Sequence, residues 1–285
     1  MNSFYSMLLK TQVSISIADI ASVGFILAGL FIFVNWLFRY GGFSSLAKAP
    51  VRRNTMPVYM GFAAVILWLA VSVVCMFLLD LLPDDIDESV EEICVYLISV
   101  VTQICLMVIF LRLAKKHFAR GLKGFGLNLR TVPRDFGMAA VNITAVYPLV
   151  MGGLLAVLAI GKHLYGEDWQ IAPHESITTL SAGGPVVLQV LVIFTAVVLA
   201  PVFEEIMFRG IFQSVVTSAI GMPWVAVVMT SILFTLQHPK QHCLAIFALS
   251  MGLGYTYERS GSLWRSIFMH MMFNTISVVA TMLMT

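Results

Sequence analysis

The chain has 285 residues, of which 59% are hydrophobic and only 11% charged, with a net charge of +2 and a mean hydropathy of +0.92. Soluble domains carry about 25% charged residues, so this composition excludes a soluble globular protein and defines an integral membrane protein. The small net charge gives no reason to expect a nucleic-acid partner, and the informative property is how the charges are distributed.

In chain order, residues 1–19 hold Lys10 as their one basic side chain and lack a compact apolar core before a small-residue cleavage site, so no cleavable signal peptide is expected. Stretches apolar enough to span a bilayer fall near 20–38, 57–79, 93–111, 136–161, 185–203, 205–220, 223–238, 242–258 and 263–284. Residues 185–220 also read as one long helix kinked at Pro201. The prediction is an all-α, polytopic transmembrane helix bundle of about eight spans, within a range of seven to nine. Cys75, Cys94, Cys105 and Cys243 lack metal-type or paired spacing and read as buried apolar cysteines. Trp36, Trp68, Trp224 and Trp264 are expected at span ends, as interfacial anchors.

The loops orient the chain. Arg39, Lys48, Arg52 and Arg53 follow the first span, and Arg112, Lys115, Lys116, Arg120, Lys123, Arg130 and Arg134 follow the third. The loop between spans two and three is acidic, from Asp80 to Glu92. The positive-inside rule places both basic loops in the cytoplasm and brings the fifth span inward, with Glu204 toward the cytoplasmic side. The basic loop 112–134 is explained by topology alone, and attraction of anionic lipid headgroups is its other reading.

No internal repeat or low-complexity tract is evident. Residues 1–180 read as a transmembrane scaffold with its ionisable residues in loops, and residues 181–285 as the working module. That module carries Glu204, Glu205 and Arg209 inside an apolar stretch, then Phe234-x3-His238 and His270-x3-Asn274. A charge at bilayer depth costs several kcal/mol, roughly 2.5–3.5 on insertion scales, so a cluster of them needs a reason. Helical spacing pairs Glu205 with Arg209 four residues on and leaves Glu204 free to face a reaction centre. Gly221-Met222-Pro223 reads as a helix-to-helix turn, which brings Glu204 and His238 to similar height. His270 and Asn274 share a helical face. Gly210, Gly252 and Gly254 suit close helix packing. A carboxylate held by a histidine can deprotonate water, and a histidine with an amide can stabilise an oxyanion. The same groups, Glu204, His238 and His270, could instead hold one divalent metal, zinc above all, that activates the water. His242 reads as a loop residue after the helix-breaking Pro239, and His174-Glu175 lacks the second histidine of a zincin motif.

Glu204-Glu205-x3-Arg209, Phe234-x3-His238 and His270-x3-Asn274 resemble the three motifs of the CPBP family, the CAAX-type prenyl proteases and bacteriocin-processing enzymes, also called the Abi family. The resemblance covers about residues 185–285 and includes Gly252-Leu253-Gly254-Tyr255 and Ser260-Gly261-Ser262-Leu263. It implies a polytopic intramembrane endopeptidase with a catalytic core at 181–285, acting on membrane-associated proteins or peptides. It further implies that Glu204 with His238 activates water, that His270 and Asn274 stabilise the oxyanion, and that Glu205, Arg209 and Phe234 support them. The family is commonly labelled metalloprotease, although its residues also suit a metal-independent glutamate mechanism. The short interval between His238 and His270 is similar to the prokaryotic branch, which implies a prokaryotic cell membrane and makes a prenylated substrate a poor default.

Two other functions use the same residues. A non-catalytic immunity or regulatory protein of this fold would keep the polar cluster for binding. A proton-coupled transporter would also bury carboxylates, but such proteins bring paired repeats, and here the polar groups lie in one part of the chain.

Overall fold

The computed structural model describes residues 17–50, 52–81, 83, 85–172 and 175–282; Lys10 and His174 lie outside them. Among the described residues the regular structure is helical, with one isolated bridge between Asn54 and Phe118. The principal helices are α1 (Ile17–Arg39), α2 (Val58–Leu79), α3 (Glu88–His117), α4 (Val132–Tyr165), α5 (Val186–Ile220), α6 (Pro223–Thr235), α7 (Cys243–Ser260) and α8 (Leu263–Met282). By length and composition, α1 to α5 can cross a membrane, whereas α6 is a shorter apolar helix.

Local chemistry sets the helix ends. Asp87 caps α3 by accepting the Ser89 N–H at 2.9 Å, and hydrogen bonds from the Ser89 hydroxyl and N–H hold its carboxyl below the usual carboxylate range. The expected turn after α5 forms because Gly221 takes a left-handed conformation (φ 73°) and Pro223 opens α6. Residues 185–203 and 205–220 belong to one continuous helix, the second of the two arrangements the sequence allowed.

The central element is α5, in which every residue from Glu205 to Gln213 is buried. Phe203 stacks against Phe110 of α3 at 6.2 Å and lies 6.2 Å from Trp68 of α2. Trp68 sits in mid-helix, so it packs on the core instead of anchoring a span end. The outer face of α2, including Phe62, Ile66, Val73 and Phe77, is exposed, as an apolar face meeting lipid should be. Cys105 is exposed too, whereas Cys75, Cys94 and Cys243 are half-buried. The expectation of four buried cysteines therefore fails at Cys105, because lipid solvates a thiol as readily as a core does.

The two basic loops share one end of the bundle. Thr55 N–H donates to His117 O at 3.0 Å and Ala119 N–H to Arg53 O at 3.1 Å. The Asn54 amide donates to Ser218 Oγ at 2.7 Å, tying the last turn of α5 to the same end. Beneath the loops lies a buried polar girdle. Arg52 pairs with Glu258 and lies 3.8 Å over the Tyr257 ring. Gln213 and Thr217 each donate to Glu258 Oε1 at 3.0 Å.

Candidate active site

The backbone of α5 departs from regular α-helix where the polar residues sit. Two π-helical stretches, Thr195–Leu199 and Glu205–Gln213, flank the α-helical turn Ala200–Glu204. Such bulges leave carbonyls without their usual partners and recur at functional sites. In the first stretch Ala200 N–H reaches back five residues to Thr195 O. The next bond in that register would run from residue 201 to Ala196 O, but residue 201 is proline and has no N–H. Asn274 of α8 supplies the missing donor, its Nδ2 lying 2.7 Å from Ala196 O. In the second stretch the Ser214 hydroxyl donates to Arg209 O at 3.3 Å.

Glu205 is the hub of the buried cluster. Its Oε1 accepts from Arg209 Nη1 at 2.8 Å and lies 3.1 Å from His270 Nδ1, while its Oε2 accepts from the Ser266 hydroxyl. Arg209 also donates through Nη2 to Ser250 Oγ at 2.7 Å, and its guanidinium lies 4.4 Å over the Phe234 ring. The side chains of Glu205 and Arg209 are fully buried. A buried ion pair persists only when its remaining lone pairs and protons are also satisfied, and Ser266, Ser250 and His270 do most of that here. The Glu205–Arg209 pair read from helical spacing is therefore present.

Glu204 differs. Its side chain is 23% exposed while that of Glu205 is 0%, and its Oε2 lies 3.8 Å from His270 Nε2. His270 thus stands between the two carboxylates, with one ring nitrogen toward each. Because Glu205 is the acceptor for Arg209, the His270 Nδ1 proton is donated to Glu205, which leaves Nε2 on the Glu204 side.

His238 falls outside α6, whose last residue is Thr235, not 238 as the apolar stretch suggested. Pro239 disfavours helical geometry at the preceding residue, so the chain turns there. His238 Nδ1 lies 2.9 Å from Phe234 O, a last-turn carbonyl that the Gln237 N–H reaches only at 3.4 Å. The rings of Phe234 and His238 are 4.7 Å apart, and those of Phe234 and His270 are 5.8 Å apart. Phe234, itself fully buried, therefore spaces both histidines and the guanidinium. His242 lies in the short turn Lys240–His242 before α7, as a loop residue should.

Glycines allow this packing. A Cβ on Gly210 would overlap the Phe125 ring, one on Gly252 would lie 2.6 Å from Val146, and one on Gly254 would lie 2.8 Å from Gln213 Oε1. Among the described residues, no three His, Cys, Asp or Glu side chains converge as metal ligands do.

Sequence reasoning missed Ser266 and Ser250. Ser266 carried a signal, because it stands four residues before His270 and eight before Asn274 on one face of α8. Ser250 carried none, being one small polar residue in an apolar helix.

The site is thus a buried ion pair that orients a histidine beside a second, more open carboxylate, inside a bundle of apolar helices. Residues 186–276 match the model of the Rce1-like family, described as type II CAAX prenyl endopeptidase Rce1-like, and the matched segment contains all three motifs. The chain is also 28% identical over 132 residues, 45% of its length, to an uncharacterised 24.3 kDa protein of Escherichia coli, and it spans 61% of that protein. No solved structure matches.

Proposed function

We propose that the protein is an intramembrane endopeptidase that hydrolyses peptide bonds of membrane-associated proteins or peptides. The observation that carries this reading is the contrast between its two neighbouring carboxylates. Glu205 is closed and fully bonded, whereas Glu204 is partly open and meets the other nitrogen of the same imidazole.

Glu204 and His238 hold the water, and Glu204 takes a proton as the oxygen attacks the peptide carbonyl. The carbonyl oxygen gains the electron pair and becomes the oxyanion of a tetrahedral intermediate. Collapse restores the carbonyl, breaks the C–N bond, and lets Glu204 return its proton to the leaving amine. His270 supports this by donating Nδ1–H to Glu205. Its Nε2 faces the Glu204 side, where we assign His270, with Asn274, to the wall around the oxyanion. Glu205 and Arg209 fix His270, and Phe234 spaces the two rings. Asn274 uses one amide hydrogen on Ala196 O, so we assign it first to positioning α5 and only its second hydrogen to the oxyanion.

A zinc site is the second reading. The 3.8 Å separation of His270 Nε2 and Glu204 Oε2 exceeds a hydrogen bond and is a little wider than the roughly 3.4 Å between tetrahedral ligands of one zinc. Glu204, His270 and His238 would hold the ion, which when bound would supply an acidified water. The described donors do not converge as a set of three, so the carboxylate route fits better. Metal content measured on active protein, with chelator sensitivity, decides between the two.

The site lies nine residues along α5 from Gln213 of the polar girdle. With the basic end taken as cytoplasmic, cleavage occurs in the cytoplasmic half of a prokaryotic cell membrane. The test is turnover of a membrane-tethered peptide, offered with and without a prenyl group. Glu204→Gln that folds and inserts should abolish cleavage of whichever form is a substrate. A cellular phenotype that survives this substitution would point to a non-catalytic partner role.

A further inference from the structure

A cavity of about 1310 Å³ contains none of Glu204, Glu205, His238 or His270 in its walls. It lies among α1, α4 and α7, and the three helices line it in the same order. Each has a cation at the end nearest the basic loops: Arg39 closes α1, Arg134 lies in the first turn of α4, and Arg259 lies in the last turn of α7. Arg120 and Lys123, from the loop after α3, complete this rim. The one carboxylate in the wall, Asp135, is already neutralised, accepting from Arg265 Nε at 3.1 Å, Arg265 Nη2 at 2.9 Å and Ser262 Oγ at 2.6 Å. Among the described residues, no ion pair occupies Arg39, Arg120, Lys123, Arg134 or Arg259.

One turn below the rim the wall becomes aromatic. Trp36 donates its indole N–H to the Tyr255 hydroxyl at 2.6 Å, and the Tyr255 and Trp224 rings stack at 5.7 Å. Deeper still the wall is mainly apolar, with Phe31 on α1, Val141, Ala145 and Leu149 on α4, and Phe247 and Met251 on α7; Asn142, the polar side chain at this depth, spends its amide on Thr256 Oγ1 at 3.1 Å. The apolar lining extends roughly 12 Å below Arg39 on α1, about 22 Å below Arg134 on α4 and about 18 Å below Arg259 on α7, at 1.5 Å per residue. One leaflet of the hydrocarbon core is about 15 Å deep. Cation, amphipathic ring and hydrocarbon therefore follow one another in the order of a phospholipid's phosphate, glycerol backbone and acyl chain.

We propose that this cavity is a binding site for a membrane phospholipid with an anionic headgroup, its phosphate among Arg134, Arg259 and Arg39 and an acyl chain along α4 and α7. The site stands apart from the hydrolytic cluster and does not depend on its reading. Cationic groups clustered beside membrane helices attract such headgroups, and the buried Asp135–Arg265 pair holds the α4 and α8 ends that frame the rim.

The test incubates the purified full chain with mixed vesicles of dioleoyl phosphatidylglycerol and dioleoyl phosphatidylcholine and counts retained lipid by native mass spectrometry. Phosphatidylglycerol should be retained about tenfold over phosphatidylcholine, and the paired substitution R134Q/R259Q should weaken it about 30-fold, the effect of two near-surface cations. Ala145→Trp, which fills the shaft but keeps the cations, should also release the lipid. Equal retention of the two lipids, an unchanged R134Q/R259Q protein, or displacement by inorganic phosphate alone would each overturn the proposal. If the paired variant does not fold, the ratio of the two lipids on the unaltered chain decides.

Discussion

At the scale of single residues, the roles of the polar side chains follow from how completely each is bonded. Asn274 fills the acceptor that Pro201 leaves open, so Asn274→Ala should strand a buried carbonyl and destabilise the protein by about 1–3 kcal/mol. Asn274→Asp, which loses the donor but keeps the shape, should cost a similar amount. Thermal unfolding in detergent measures both, and a merely catalytic Asn274 would leave the melting temperature unchanged. Ser266→Ala removes one donor from Glu205 but spares Arg209 and His270. It should lower kcat while leaving KM near its original value, because it loosens the orientation of His270 and touches no substrate. The Glu205–Arg209 pair was legible from its spacing because i,i+4 geometry is local. The Asn274–Ala196 bond was not, since it depends on π-helical backbone that no residue spacing announces.

At the scale of elements, α5 is the piece on which the site is built, and its neighbours are fitted to it. Gly210 meets the ring of Phe125 so closely that a Cβ would overlap it. Gly210→Ala should therefore cost about 1–3 kcal/mol by overpacking and push the short helix Leu122–Phe125 away from α5. A drop in melting temperature with greater proteolysis after Lys123 is the expected result. The turn at Gly221 to Pro223 was readable because both residues restrict the backbone in a known way. The end of α6 was misplaced by three residues, since the apolar run reaches residue 238 whereas the helix stops at Thr235, ahead of Pro239. That shift puts His238 on a turn, where its ring caps the helix and lies tilted against Phe234.

For the whole molecule, membership of the membrane class was plain from composition, and the helices follow from it because lipid offers the backbone no other partner. The span count was less legible, because hydropathy grades smoothly from α5, which is apolar enough to cross alone, to the shorter α6. The common end of the two basic loops, joined by the bonds from Thr55 to His117 and from Ala119 to Arg53, gives the topology a direct test. In a background without the four native cysteines, Ser44→Cys and Leu129→Cys should label from one side of sealed vesicles. Asp85→Cys, in the acidic loop, should label from the other side. Labelling of all three from one side would contradict the arrangement.

The central claim is the division of labour between two adjacent carboxylates, and it is tested most directly by comparing Glu204→Gln with Glu205→Gln in one assay. Turnover of a membrane-tethered peptide is measured beside the melting temperature of each variant. Glu204→Gln is expected to be inactive at unchanged stability, because its side chain is partly open and its removal leaves the Glu205–Arg209 pair intact. Glu205→Gln is expected to lose about 3–5 kcal/mol of stability, because it leaves the Arg209 charge buried without its partner. A Glu204→Gln protein that still cleaves, or a Glu205→Gln protein as stable as the original chain, would contradict the account.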